Sequence, residues 1–169
     1  MKMFAWVAAA AAMGMAAPVG AQNMPKQIRI IVPYSAGGGT DIIARTLAEK
    51  SHAFTDSTVI VENKPGAYGI IGTEVVAKAP PDGSAYVLVV KSHLLNPIVV
   101  PKMPYDTLKD LRPVTEVATS PLVLVANARI PGNDLVEVNA KNPGRKFSYG
   151  SSENMTRLVG NMMTASMKL

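Results

Sequence analysis

The stretch "QIRIIVPYSAGGGTD", Gln27 to Asp41, decides the fold. A β-branched run stops at Pro33, a glycine triplet follows, and helical spacing then takes over. Such a run bounded by turn residues reads as a buried strand. Glycine loses more backbone freedom on folding than any other residue, so three in a row need a reason. Two reasons stay open on these residues alone. The triplet is a tight strand-to-helix turn, or it bares backbone N–H groups to an anion at a helix N-terminus.

Working outward, Asp41 reads as the cap of the following helix, with Ile43 and Leu47 on its inner face. "STVIVE" (Ser57 to Glu62) is a second strand, closed by the turn "NKPGAYG". Ile71, Val75, Val76 and Ala79 recur at helical spacing, which predicts a helix from Gly69 to Ala79, stopped by "PPDG". "AYVLVV" (Ala85 to Val90) is a third strand. The order βαβαβ implies parallel strands, with crossover helices covering the sheet. Ligands of such sheets bind beyond the carboxyl ends of the strands. The loops at that edge are Pro33 to Thr40, Asn63 to Tyr68 and Lys91 to Pro97.

Beyond Pro97 the pattern predicts a short helix near Thr107 to Leu111 and a strand at "PLVLVAN" (Pro121 to Asn127). Ile130 to Lys146 reads as irregular, and "KFSYGSS" as a short strand and turn. Met155, Leu158, Val159, Met162 and Met163 mark one face of a last, amphipathic helix.

Composition narrows the classes. The 169 residues are 48% hydrophobic and 17% charged, within the range of a soluble globular protein. The net charge of +5 is scattered, and Arg145-Lys146 is too short a cluster for a nucleic-acid stripe. A mild positive potential favours small anionic ligands. Lys2, the apolar run Phe4 to Ala17 and Val19-Gly20-Ala21 have the layout of a secretory signal cleaved after residue 21. An uncleaved N-terminal anchor is the alternative. The absence of cysteine excludes disulfides, thiolate metal sites and a lipoprotein anchor.

Each candidate site has a plain structural alternative. The glycine triplet lacks the Gly-Lys-Ser/Thr of a phosphate loop and is not a GxGxxG fingerprint, so no nucleotide cofactor is indicated. Asp41 would repel a dianion unless it points away. In "KSHLLNP", Ser92 and His93 invite a hydrolase reading, with Ser92 or Ser151 as nucleophile and His93 as base. Neighbours on an extended backbone point to opposite sides, which argues against a Ser92–His93 pair. No HExxH or GxSxG is present, and two histidines without cysteine make a poor metal set. "YGSSENMT" is a second strand–turn–helix junction, where Ser152 or Asn154 would cap the helix.

Four stretches together carry a family resemblance: "KQIRIIVPYSAGGGTDIIARTLAEK", "VIVENKPGAYGIIGTEVVAKAPPDG", "NPIVVPKMPYDTLKDLRPVTEVA" and "NPGRKFSYGSS". In this order the chain resembles the substrate-binding receptors of tripartite tricarboxylate transporters, the Bug or TctC-like family. The resemblance implies an α/β fold of the type II periplasmic binding protein kind, with two lobes of mostly parallel sheets, incomplete at the C-terminus. Its implied organisation is a signal at 1–21, a first lobe at 22–118 and the start of a second at 119–169. It further implies a periplasmic receptor, not an enzyme, that captures a small carboxylate and in some members delivers it to a membrane permease.

Carried over residue by residue, the implied ligand contacts are Tyr34, Ala36, Gly37, Gly38 and Gly39 in the first loop. Ser151, Ser152 and Thr156 would face them from the second lobe, with Ser92 and Asn96 lining the cleft. The chain also departs from the family. Glu153 and Met155 stand at glycine-like places, Arg157 precedes Leu158, and residues 130–141 look short for the family's helix. Glu153 would bring negative charge to an anion site. A degenerate copy that exposes its methionine stripe is therefore a further possibility.

Overall fold

The computed structural model describes residues 24–151 and 153–167. The expected leader and Ser152 lie outside them. Strand β1 (Gln27–Val32) lies between β2 (Thr58–Asn63) and β3 (Ala85–Val87), parallel to both. Helix α1 (Gly39–Ser51) joins β1 to β2, and α2 (Ile70–Ala77) joins β2 to β3. The order β2-β1-β3 therefore reverses at β1, and a crevice opens beyond its carboxyl end at such a reversal.

The central strand supplies half of the buried apolar side chains among the described residues. Ile28, Ile31 and Val32 are buried, as are Ala44 of α1 and Ile70 of α2. Each such aliphatic side chain contributes about 1.5–3 kcal/mol when fully buried. Arg29 and Glu62 form a two-pronged ion pair across β1 and β2. The first strand matches its expected bounds, and the second is shifted by one residue.

Several expectations are corrected. On α1 the inner face is Asp41 and Ala44; Ile43 is half-buried, and Leu47 is exposed. On α2 the buried residues are Ile70, Gly72 and Thr73, while Ile71 is exposed. The cause is Gly72, where a Cβ would lie 2.7 Å from the Lys64 carbonyl oxygen and 2.7 Å from Pro33 Cβ. Only glycine lets the helix come that close. Strand β3 ends three residues early, although Leu88 still donates its N–H to Ile31. Past that point its neighbour is Pro33, which has no N–H to give.

Thr107 to Leu111 is a turn, not a helix: the Asp106 carboxylate accepts the N–H groups of Leu108 and Lys109. Pro121 to Asn127 forms no strand, and Val125 is 82% exposed. Apolar β-formers need a neighbouring strand, and none lies beside them among the described residues. "KFSYGSS" likewise pairs with nothing among the described residues. The segment read as irregular contains α4 (Leu135–Lys141), which follows α3 (Asn96–Val99) in the chain. Its start is a reciprocal cap. Asp134 accepts the Glu137 N–H at 2.8 Å, and Glu137 accepts that of Asn133 at 3.1 Å. Helix α5 (Asn154–Met167) forms where its periodicity predicts, with Met155, Val159 and Met163 half-buried and Leu158 and Met162 exposed.

Candidate functional site

The glycine loop runs from the end of β1 into α1. Gly37 has φ +82°, the left-handed region that side chains avoid. Its N–H is already taken, donating to Asp41 Oδ2 at 2.8 Å. Asp41 does not cap α1 as expected. Gly38 holds the cap position, and Asp41 turns back from the first turn onto the loop. It is 3% exposed, and its carboxylate also accepts from Arg45 Nε at 3.1 Å and Asn63 Nδ2 at 2.9 Å. The Arg45 bond, with those from Gly37 and Asn63, lowers its pKa to about 2. The negative charge feared at this site is thus compensated within the loop.

The other two glycines have no such reason. Gly38 is extended (φ −77°, ψ 166°), and a Cβ there would meet only the Ser35 carbonyl at 3.5 Å. A Cβ on Gly39 would meet nothing within 4 Å. The fold requires glycine at 37 and leaves 38 and 39 free, with Ala36 to Gly39 all exposed. First-turn N–H groups of a helix have no intrahelical acceptor, so this surface offers bare donors.

A second set of side chains meets at the same sheet edge. Tyr34 links the two: its carbonyl accepts from Asn63 Nδ2 at 3.2 Å, and its hydroxyl accepts the Val90 N–H at 3.3 Å. Burial raises the Tyr34 pKa and the nearby Glu153 charge adds to the rise, so the phenol keeps its proton. Ser92 is 2% exposed and donates to Glu153 Oε2 at 2.7 Å. Asn96, also buried, donates from Nδ2 to the Tyr68 carbonyl at 3.2 Å and accepts from Asn154 Nδ2 at 3.1 Å. The Tyr68 carbonyl can only accept, so it fixes the direction of both amides. Asn154 Oδ1 is then left buried with no partner among the described residues. Tyr68 itself is exposed and, like Ala67, has positive φ.

The alternative hydrolase geometry does not assemble. Lys91–Leu95 is a 3-10 turn rather than extended chain, so both Ser92 and His93 are buried. The Ser92 proton goes to Glu153, not to His93. The His93 ring stacks on Tyr105 at 6.1 Å, Nδ1 has no partner among the described residues, and burial lowers its pKa. A depression of about 510 Å³ beside Tyr105, lined by Pro97, Met103 and Leu108, includes none of the candidate residues.

Tyr34, Ser92 and Asn96 are thus brought together, with Gly37 to Gly39 beside them on the same edge. Ser151 is exposed, and Thr156 spends its hydroxyl locally, accepting from the Glu153 N–H and donating to the Glu153 carbonyl. Asn63 and Asn154 are additions. Asn63 opens one of the loops at the carboxyl edge of the sheet, whereas nothing local marks Asn154 as a partner of Asn96. The described residues contain no cluster able to hold a metal ion and no helix long and apolar enough to cross a membrane.

A parallel α/β sheet with donor-rich loops at its carboxyl edge is an architecture that periplasmic binding proteins share with other ligand-binding α/β proteins. The solved structure of a periplasmic transporter matches with TM-score 0.65 and 35% identity, over 83% of this chain and 49% of that one. Residues 43–169 fit the model of the tripartite tricarboxylate transporter family receptors, and the chain belongs to that family. Protein BugT of Bordetella pertussis is 42% identical over 120 residues, 69% of this chain and 37% of BugT. A UPF0065 protein in the gbd 5′ region of Cupriavidus necator is 38% identical over 168 residues, 95% of this chain and 51% of that protein. The chain thus spans about half or less of the length of these relatives.

Proposed function

We propose that this receptor captures a small organic carboxylate, from the range of di- and tricarboxylates and related acids, for tripartite-type uptake through a membrane permease. The leader at 1–21 directs export, residues 22–118 form the first lobe, and residues 119–169 begin the second. The ligand carboxylate sits on the Gly38–Gly39 amides at the α1 N-terminus. Tyr34, Ala36 and Gly37 shape that loop, Ser92 and Asn96 brace the neighbouring loop from within, and Ser151 and Thr156 belong to the second lobe.

One observation carries the reading. Glycine stands at 38 and 39 although neither backbone torsion nor packing demands it: a Cβ at 38 would make only an ordinary contact with the Ser35 carbonyl, and one at 39 would meet nothing within 4 Å. Bare amides that a ligand must approach closely supply the missing requirement. Because the loop is exposed, binding by this chain is weak, no tighter than micromolar. NMR titration of the 15N-labelled chain with citrate, malate and glutarate tests it. Shifts centred on Gly38 and Gly39, lost in Gly38→Val with the rest of the spectrum intact, are expected. Unchanged affinity in Gly38→Val would sink the reading.

A further inference from the structure

We infer that Arg45 sets the strength of anion binding at the glycine loop by cancelling the charge of Asp41, acting through Asp41 rather than on the ligand. The inference rests on the receptor reading above and deepens it, naming the charge pair that governs affinity for every carboxylate in that range.

Three observations carry it. The Asp41 charge lies against the loop itself, since its Oδ2 accepts the Gly37 N–H at 2.8 Å, one residue before the two amides assigned to the ligand. Next, Arg45 is the one cation within ion-pair distance of Asp41 among the described residues, with Nε 3.1 Å from the same Oδ2. Finally, Asn63 holds the pair together. Its Oδ1 accepts from Arg45 Nη2 at 2.9 Å, while its Nδ2 donates to Asp41 Oδ1 at 2.9 Å and to the Tyr34 carbonyl at 3.2 Å. The Tyr34 carbonyl can only accept, so it fixes the direction of that amide and with it the side on which Arg45 docks.

Asp41, Arg45 and Asn63 thus form a closed ring at the first turn of α1. A lone carboxylate in that turn would offset the positive helix end that attracts a ligand anion. Arg45, first among the causes that hold the Asp41 pKa down to about 2, keeps the group ionised and neutralises it at once. With the pair intact, an arriving carboxylate meets bare amides and the helix N-terminus. With Arg45 removed, it meets a buried, uncompensated charge, and like charges in a partly desolvated site repel far more than in water.

The test is a charge cycle. The full chain, Arg45→Gln, Asp41→Asn and the double variant are titrated with glutarate by NMR, with the unliganded spectra as the check on folding. Arg45→Gln should weaken binding at Gly38 and Gly39 by about tenfold. Asp41→Asn keeps an oxygen for the Gly37 N–H and leaves Arg45 without its counter-charge, so it should tighten binding by about threefold or more. The double variant should return to within about threefold of the parent. A purely structural ring predicts weaker binding in both single variants, because each breaks it. Arg45→Lys keeps the charge without the two-pronged reach and should stay near the parent. If Arg45→Gln does not fold, Asp41→Asn decides alone. Binding in Asp41→Asn no tighter than in the parent, or parental binding in a folded Arg45→Gln, overturns the charge role and leaves the receptor reading standing. Silence of the Gly38 and Gly39 amides toward glutarate in every protein overturns the receptor reading and the charge role with it.

Discussion

Asp41 accepts the N–H of Gly37 at 2.8 Å, four residues back in the chain, and this bond shapes the glycine loop from inside. The same carboxylate draws in Arg45 and Asn63, so α1, β2 and the loop share one anchor. An acid-sensitive loop follows. The folded-state pKa is lowered to about 2, below the ordinary aspartate value, so the unfolded chain binds the proton first. The Asp41 contribution is complete above about pH 4 and is lost as pH falls toward 2. Melting temperature measured from pH 7 to 2 should fall over that window. Asp41→Asn should melt lower at pH 7 and lose that part of the acid slope, and an unchanged slope would show that Asp41 is not the anchor.

The three glycines should respond differently to alanine. Gly37→Ala forces a side chain into the left-handed region and should cost about 1–2 kcal/mol. Gly39→Ala lies inside the helix in open space and should stabilise it by up to about 1 kcal/mol. Gly38→Ala lies at the cap position, where alanine is poorer than glycine, and should cost less than Gly37→Ala. Urea denaturation of the three variants gives the order. Equal costs would mean that the loop torsions differ from those described.

How much of this was legible depended on whether a feature was local. The run from Gln27 to Val32 has β-branched residues, a proline stop and a glycine turn within one window, and its bounds follow. Helix α2 is apolar on adjacent residues, Ile70–Ile71 and Val75–Val76, so periodicity gives the helix but not its phase. Gly72 fixes the phase, through a contact with Pro33 and Lys64 that no window contains. Apolar β-formers at Pro121 to Asn127 announce a strand, but pairing depends on a neighbour rather than on the segment. Helix α4 was legible in "NDLVE" as a capping sequence and was obscured by the prolines and glycines on either side. In the site, the glycine loop and Glu153 stand out singly, whereas the Asn96–Asn154 bond joins positions 58 apart and leaves no local mark.

The Gly72 contact makes its own prediction. Gly72→Ala would press a methyl group against backbone at 2.7–2.9 Å, where no flexible side-chain end can yield. Helix α2 must then lift from β1, at a cost of about 1–3 kcal/mol. Because Pro33 precedes the loop, the shift should reach Tyr34 and Gly37, visible as amide shift changes well beyond α2. A variant of parental stability would show that the helix packs farther out.

Asn96 offers the sharpest separation of hydrogen bonding from packing. Asn96→Asp keeps its shape, but a carboxylate has nothing to donate to the Tyr68 carbonyl, and the side chain is buried. The substitution should cost about 1–3 kcal/mol, the penalty for a buried polar group without its partner. Asn96→Leu removes both polar contacts and leaves Asn154 with neither amide atom satisfied, so it should cost at least as much. The local signature is release of the positive-φ pair Ala67–Tyr68, which the Asn96 clamp holds at a cost of about 1–2 kcal/mol per residue. Hydrogen exchange should therefore quicken at Gly69, whose N–H closes that turn on Gly66, before it quickens in β1. If Gly69 and β1 lose protection together, Asn96 supports the whole fold rather than the loop that borders the candidate site.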